Sequence, residues 1–287
     1  MKNIAFYCLA LCISQLVLPL AHAQNATTEF TKAPPLTLQS GDLKVRIAPA
    51  RAWTFDEIRY RDQLLTVPAS QSGLVLNFGG AQFVGSGHKE AGTEKVASVV
   101  LNLDDKTTDP LQGGEHAGKE VELVKESTLG ETRLKSIIRL KEGKLECEQF
   151  LTAQEDVEVN LVYAFMFPWT TTTTEWVAKT VKGTIREGGF TSKDRAWELR
   201  DDVVWAAIYH PEFKVAAITS YEGESQSGAG VKHGYWNIHK GYHKQYYQPL
   251  GKTTLVKDKT YHWKARVAFV QSEAAQWKVD VQKQMTQ

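Results

Sequence analysis

The sequence predicts an all-β fold: an antiparallel β-sandwich with one short C-terminal helix. Three observations predict it. Runs of alternating apolar and polar residues recur at short intervals, as half-buried strands require. Clusters of Gly, Asp, Asn and Pro separate them, as at Asn77-Phe78-Gly79-Gly80, Leu111-Gln112-Gly113-Gly114 and Lys141-Glu142-Gly143-Lys144. Helical spacing is nearly absent, which argues against alternating β and α units.

The chain divides into three stretches. Residues 1–23, MKNIAFYCLALCISQLVLPLAHA, have the parts of a secretory signal peptide: Lys2, an apolar run from Ile4 to Leu20, and the small-x-small site Ala21-His22-Ala23. Cleavage is expected near Gln24, giving a secreted or periplasmic protein. Residues 24–40 are polar, contain the pair Pro34-Pro35, and are expected to form an extended lead-in. Residues 41–287 then form a single β-sandwich domain, since no long linker or internal repeat divides them. Leu43 to Ile47 alternates cleanly, with Lys44 and Arg46 on the second face. Further strands are expected over Gly73–Phe78, Val96–Leu103, Glu120–Lys125, Thr132–Leu140, Lys144–Leu151, Val157–Phe167, Val203–Tyr209, Lys214–Ser220 and Tyr261–Val270. For the tail, Ser272 is the expected N-cap of a helix that Val270, Trp277 and Val281 fix against the sheet edge.

Charge and cysteine content narrow the function classes. Without Lys2 the 34 basic residues become 33, against 33 acidic ones. That balance argues against nucleic acid, whose affinity comes largely from phosphate neutralisation. No segment after the signal is apolar for long enough to span a bilayer. Of three cysteines, Cys8 and Cys12 leave with the signal, so the mature chain depends on its core rather than on disulfides. Cys147 lies between Glu146 and Glu148, which would raise its pKa; it reads as structural.

The pattern Tyr163-Ala164-Phe165-Met166-Phe167-Pro168-Trp169, followed by Trp205-Ala206-Ala207-Ile208-Tyr209-His210-Pro211, resembles the galactose-mutarotase-like supersandwich. That group holds aldose epimerases, β-domains of polysaccharide lyases and other carbohydrate-active proteins. The resemblance implies a carbohydrate substrate or ligand. Its epimerases place two histidines and a late glutamate around the sugar, but this triad does not align here, so residue roles do not transfer.

Three regions carry candidate chemistry. In the glycine-rich loop Gly85-Ser86-Gly87-His88-Lys89-Glu90-Ala91-Gly92-Thr93-Glu94, His88 could serve as general acid or base, with Glu90 or Glu94 orienting it. A plain solvated loop between strands is the competing reading. In Gly113-Gly114-Glu115-His116-Ala117-Gly118, Glu115 and His116 would cooperate only within a turn, because adjacent strand residues face opposite ways. A hairpin loop is the alternative there.

The third region, Lys232–Tyr247, is the densest: KHGYWNIHKGYHKQYY holds three histidines, four tyrosines and a tryptophan. His239 and His243 are four apart, as in helical zinc sites. Gly234 and Gly241 argue against a helix, and no glutamate follows His239 as in HExxH, so no metal is expected. A strand and turn carrying His239, Tyr242, His243 and Tyr246 around a polar cleft is the reading preferred, with Tyr242 or His243 as base. Asn237, Lys240 and Lys244 could stabilise developing charge. Tyrosines that simply cover a sheet are the alternative. Trp169, Trp176, Trp205 and Trp236 are candidate sugar-stacking platforms, Trp176 being expected at the surface after its threonine run, Trp236 having the most polar company and Trp205 being expected in the core. Together these features point to a secreted carbohydrate-active protein working by β-elimination or epimerisation without a cofactor. A non-catalytic sugar-binding or envelope protein on the same scaffold is the alternative.

Overall fold

The computed structural model describes residues 30–70, 72–79, 83–85, 94–225 and 232–286. Its largest element is a ten-stranded antiparallel sheet. From one edge the strands are Ile185–Gly189, Glu175–Thr180, Val203–His210, Val215–Gly223, Thr260–Gln271, Lys144–Ala153, Thr132–Lys141, Glu120–Leu129, Lys95–Leu103 and Lys106–Thr108. Two-residue turns set several of its registers. Asp104-Asp105 and Glu142-Gly143 both sit at positive φ, the conformation whose twist matches that of the flanking strands.

Alternation decides what each face meets. Along Thr132–Lys141, Leu134, Ser136, Ile138 and Leu140 are buried, while Arg133, Lys135, Arg139 and Lys141 face outward. The outward side of the central strands carries an ion-pair lattice: Arg139 with Glu122 at 2.5 Å, Glu146 with Lys264 at 2.8 Å and with Arg266 at 3.0 Å. The inward side packs on a five-stranded sheet of Gln63–Leu64, Thr54–Tyr60, Leu43–Ala48, Leu36–Ser40 and Gly114–Ala117. A continuous apolar cluster joins the two, taking in Leu38, Val45, Ile47, Ile58, Leu134, Leu145 and Val267. Smaller sheets complete the sandwich. One of them, Phe165–Trp169, Tyr242–Tyr247, His233–Ile238 and Ala196–Asp201 in that spatial order, positions the site described below.

Several expectations need correction. The lead-in ends early: Leu36–Ser40 is a strand, because Leu36, Leu38 and Ser40 alternate inward and pair with Leu43–Ala48. It pairs in parallel with Gly114–Ala117, so the sandwich is not wholly antiparallel. The run 157–167 is broken into Val157–Val159, Leu161–Tyr163 and Phe165–Trp169, each pairing with a different partner. The C-terminal helix spans Trp277–Gln284 with Gln276 at its N-cap. Ser272 does not cap it, since its backbone N–H still bonds the Lys214 carbonyl and its hydroxyl donates to Asp280 at 2.6 Å. Trp277 and Val281 do hold the helix to the outer face of the large sheet, where Trp277 stacks on Tyr209 at 5.1 Å.

Candidate functional site

The sheet that contains the Lys232–Tyr247 hairpin has two chemically different faces, set by strand alternation. Cross-strand register puts Phe167, Gln245 and Tyr235 in one inward row, and Trp169, His243 and Asn237 in the next. The outward positions are Met166 and Pro168, then Tyr242, Lys244 and Tyr246, then Gly234, Trp236 and Ile238, then Trp197 and Arg200. So His243, Gln245 and Tyr247 of the second strand point into the core, and Tyr242, Lys244 and Tyr246 point out.

The outward face forms an aromatic platform. Trp197 and Trp236 meet edge to face with centroids 5.0 Å apart, Trp197 lies 5.7 Å from Tyr246, and Tyr246 lies 4.7 Å from Tyr163. Trp197 is 36% exposed, and Trp236, Tyr246, Tyr163 and Tyr242 are half-buried. Two cations belong to it. The Arg200 guanidinium lies 5.3 Å over the Trp197 ring. Lys244 Nζ lies 5.6 Å from the Tyr242 ring and 5.7 Å from the Tyr246 ring, and donates to the Ser70 carbonyl at 3.0 Å. Lys244 is almost fully buried, its ammonium held by that carbonyl and by the two ring faces. Burial pushes the Tyr163 phenol up, with Arg200 opposing the shift.

A glycine makes the platform possible. The Trp197 ring rests on Gly234, where a Cβ would come within 2.5 Å of the ring and 2.9 Å of the Leu199 carbonyl. The strand Ala196–Asp201 carries a register shift between Trp197 and Leu199. That bulge turns Trp197 outward although Leu199, two residues on, is buried.

The sequence-predicted residues are scattered by this arrangement. His88 and Glu90 lie outside the described residues. His116 sits on the parallel edge strand of the five-stranded sheet, its Nε2 3.0 Å from the Gly113 carbonyl, remote in topology from the hairpin. His239 lies in the hairpin turn, where its backbone N–H donates to Asp194, and Lys240 beside it is exposed. His243, expected as a base beside Tyr242, faces the opposite way. Its Nδ1 lies 2.6 Å from the Thr173 hydroxyl, its ring stacks on Phe190 at 3.7 Å, and burial pushes its pKa down to about 4. Asn237 is inward too, donating to the Thr191 and Lys193 carbonyls and to Glu198. Trp176, expected at the surface, is 4% exposed, packed over Gly188 in the core. Trp205 is buried as expected, and burial raises the Cys147 thiol more than its flanking acids do. Of the predicted set, Trp236, Tyr242 and Lys244 meet on one outward face.

Trp197 and Arg200 escape a reading of the sequence because strict alternation from the apolar Leu199 assigns Trp197 to the core. Only the bulge reverses it. The run Ala196-Trp197-Glu198-Leu199-Arg200 does carry one signal, a tryptophan flanked by charges. A groove of about 450 Å³ opens elsewhere, on the outer face of the large sheet. Its one aromatic ring, Phe150, is stacked at 4.2 Å on His262, so that face is already occupied.

No protein-family model matches the chain, and no curated protein matches it in sequence. Solved structures do match. A putative aldose 1-epimerase from Klebsiella pneumoniae superposes with a TM-score of 0.54 at 10% identity, over 84% of this chain and 80% of that one. A galactose mutarotase-like protein from Lactobacillus casei gives 0.50 at 9% identity, over 83% of this chain and 100% of that one. The galactosidase domain of an alpha-galactosidase-sucrose kinase gives 0.53 at 6% identity, over 83% of this chain and 40% of that one. At such identities the likeness is one of fold: the chain shares the β-sandwich fold of galactose-mutarotase-like proteins.

Proposed function

We propose that this galactose-mutarotase-like sandwich is an exported carbohydrate-binding protein, and that Trp197, Trp236, Tyr246 and Tyr163 form its binding surface. The observation that carries the reading is the outward aromatic platform. A pyranose presents an apolar face that an indole covers, and its hydroxyls need polar groups around the ring. Arg200 and the tyrosine hydroxyls supply such groups. Epimerisation asks for a histidine and a carboxylate on the sugar's face, and the strand positions on this face carry neither.

β-Elimination on a uronate is the second reading, favoured by one observation: Lys244 lies against both Tyr242 and Tyr246. In such a reaction a tyrosine takes the proton and a nearby cation stabilises the charge that develops. The two readings separate in one experiment. Mature protein is run through affinity gels containing neutral and acidic polysaccharides, and the same mixtures are followed at the absorbance of unsaturated uronates. Binding expects retardation by at least one polymer, a loss of about tenfold or more in Trp197→Ala or Trp236→Ala, and no absorbance change. A rising absorbance abolished by Tyr242→Phe or Tyr246→Phe would replace binding with the lyase. Migration of Trp197→Ala identical to wild type in a gel that retards the wild type would remove the platform from the account.

A further inference from the structure

We infer that the platform selects glycans carrying carboxylates, and that Arg200 is the residue that makes the selection. The inference rests on the carbohydrate-binding reading and adds the chemical class of ligand. Its basis is the charge pattern of one face. The outward positions of the four strands comprise Met166, Pro168, Tyr242, Lys244, Tyr246, Gly234, Trp236, Ile238, Trp197 and Arg200, two cations and no acid.

On the outer face of the large sheet the cations Arg139, Lys264 and Arg266 are matched by Glu122, Glu146, Glu148 and Glu222. The acids nearest the platform in sequence are also taken. Asp201 pairs with Arg186 and Asp202 with Lys232, while Glu198 accepts from Thr191 and Asn237. Arg200 has no carboxylate within ion-pair reach among the described residues, and its guanidinium is exposed.

Geometry then assigns roles. Arg200 pairs across the strands with Gly234, one row from the Trp197–Trp236 corner. The Arg200 guanidinium lies 5.3 Å over the Trp197 ring, which holds it at the edge of the aromatic surface. An exposed guanidinium without an ion-pair partner among the described residues suits bidentate capture of a carboxylate. A sugar ring lying on Trp197 or Trp236 would bring a substituent at its rim within reach of that guanidinium's N–H fork. Lys244 is buried beneath the rings and held by the Ser70 carbonyl. The direct contact therefore falls to Arg200, which is exposed.

The test compares three uronate polymers, polygalacturonate, alginate and hyaluronan, each against its carboxyl-reduced neutral counterpart, in affinity gels with the wild type, Arg200→Gln, Arg200→Lys and Trp197→Ala. The expected result is tighter retardation by an acidic polymer than by its reduced form. Arg200→Gln should lose about tenfold on the acidic polymer and nothing on the reduced one. Arg200→Lys should recover part of the loss, having charge without the fork. The preference should also shrink as salt rises. Equal affinity for acidic and reduced forms, unchanged binding in Arg200→Gln, or binding to none of the three acidic polymers would overturn the inference. Failures of the two readings are distinguishable. If both forms bind equally and Trp197→Ala loses both, acid selection falls and the platform stands. If Trp197→Ala binds as wild type does, the platform itself falls.

Discussion

At the scale of single residues, one buried ion pair dominates the polar interior of the sandwich. Lys125 and Glu94 meet at 2.5 Å, with side chains 3% and 0% exposed. Lys125 also donates to the Ala52 carbonyl at 2.8 Å, and Glu94 accepts from the Ser127 hydroxyl. Ala52 and Trp53 both lie at positive φ, unusual for side chains of any size. The lysine therefore ties a strained turn of one sheet to the inner face of the other. Lys125→Met should destabilise the fold by about 3–5 kcal/mol, because it leaves the Glu94 carboxylate buried without its counter-charge. Adding Glu94→Gln should recover a large part of that loss. Urea titrations of the single and double variants measure both effects; no recovery in the double variant would show that the lysine acts by packing alone.

At the scale of elements, two strands and one bulge build the platform. Alternation in Tyr242–Tyr247 puts three side chains out and three in, so a histidine and its tyrosine neighbour can never share a surface there. The bulge before Leu199 adds Trp197 to the outward set, and Gly234 leaves the space its ring occupies. Gly234→Ala should therefore displace the indole. The expected outcome is a fall of about 1–3 kcal/mol in stability from overpacking, with polysaccharide affinity reduced as far as in Trp197→Ala. Thermal melts and affinity gels on the same preparation check it. Full affinity in a folded Gly234→Ala protein would show that binding does not use the Trp197 face.

At the scale of the whole molecule, three histidines are locked into the interior in neutral form. Burial pushes His210 and His233 down to about 3 and His243 down to about 4. An unfolded chain protonates histidine near pH 6.5, while the native one resists it to much lower pH. As pH falls below about 6.5 the unfolded state therefore binds more protons, and stability drops. Each histidine contributes about 1–2 kcal/mol of loss between pH 6.5 and pH 5. Urea midpoints should accordingly be lower at pH 5.0 than at pH 7.5. His233→Phe should resemble wild type at the higher pH and exceed it at the lower, since both ring nitrogens of His233 lack partners in the core. A pH profile unchanged by His233→Phe would mean that this ring titrates normally in the native state.

The sequence by itself determined the sandwich. Clean alternation in segments such as Thr132–Lys141 and Lys144–Ala153 fixes which face is buried, and the turn residues between them fix the registers. It also located the hairpin whose Trp236, Tyr242 and Lys244 share one face. Tertiary structure alone decided which way the other candidates point. His243 looks catalytic by composition, yet period-two geometry sends it into the core against Phe190. Trp176 follows polar threonines, yet its strand lies within the large sheet with its indole over Gly188. Trp197 obeys neither rule because a single bulge reverses it. Patterning is local and so is written in the chain. Joining distant side chains into one surface depends on strand order and on irregular registers, which no short stretch of sequence encodes.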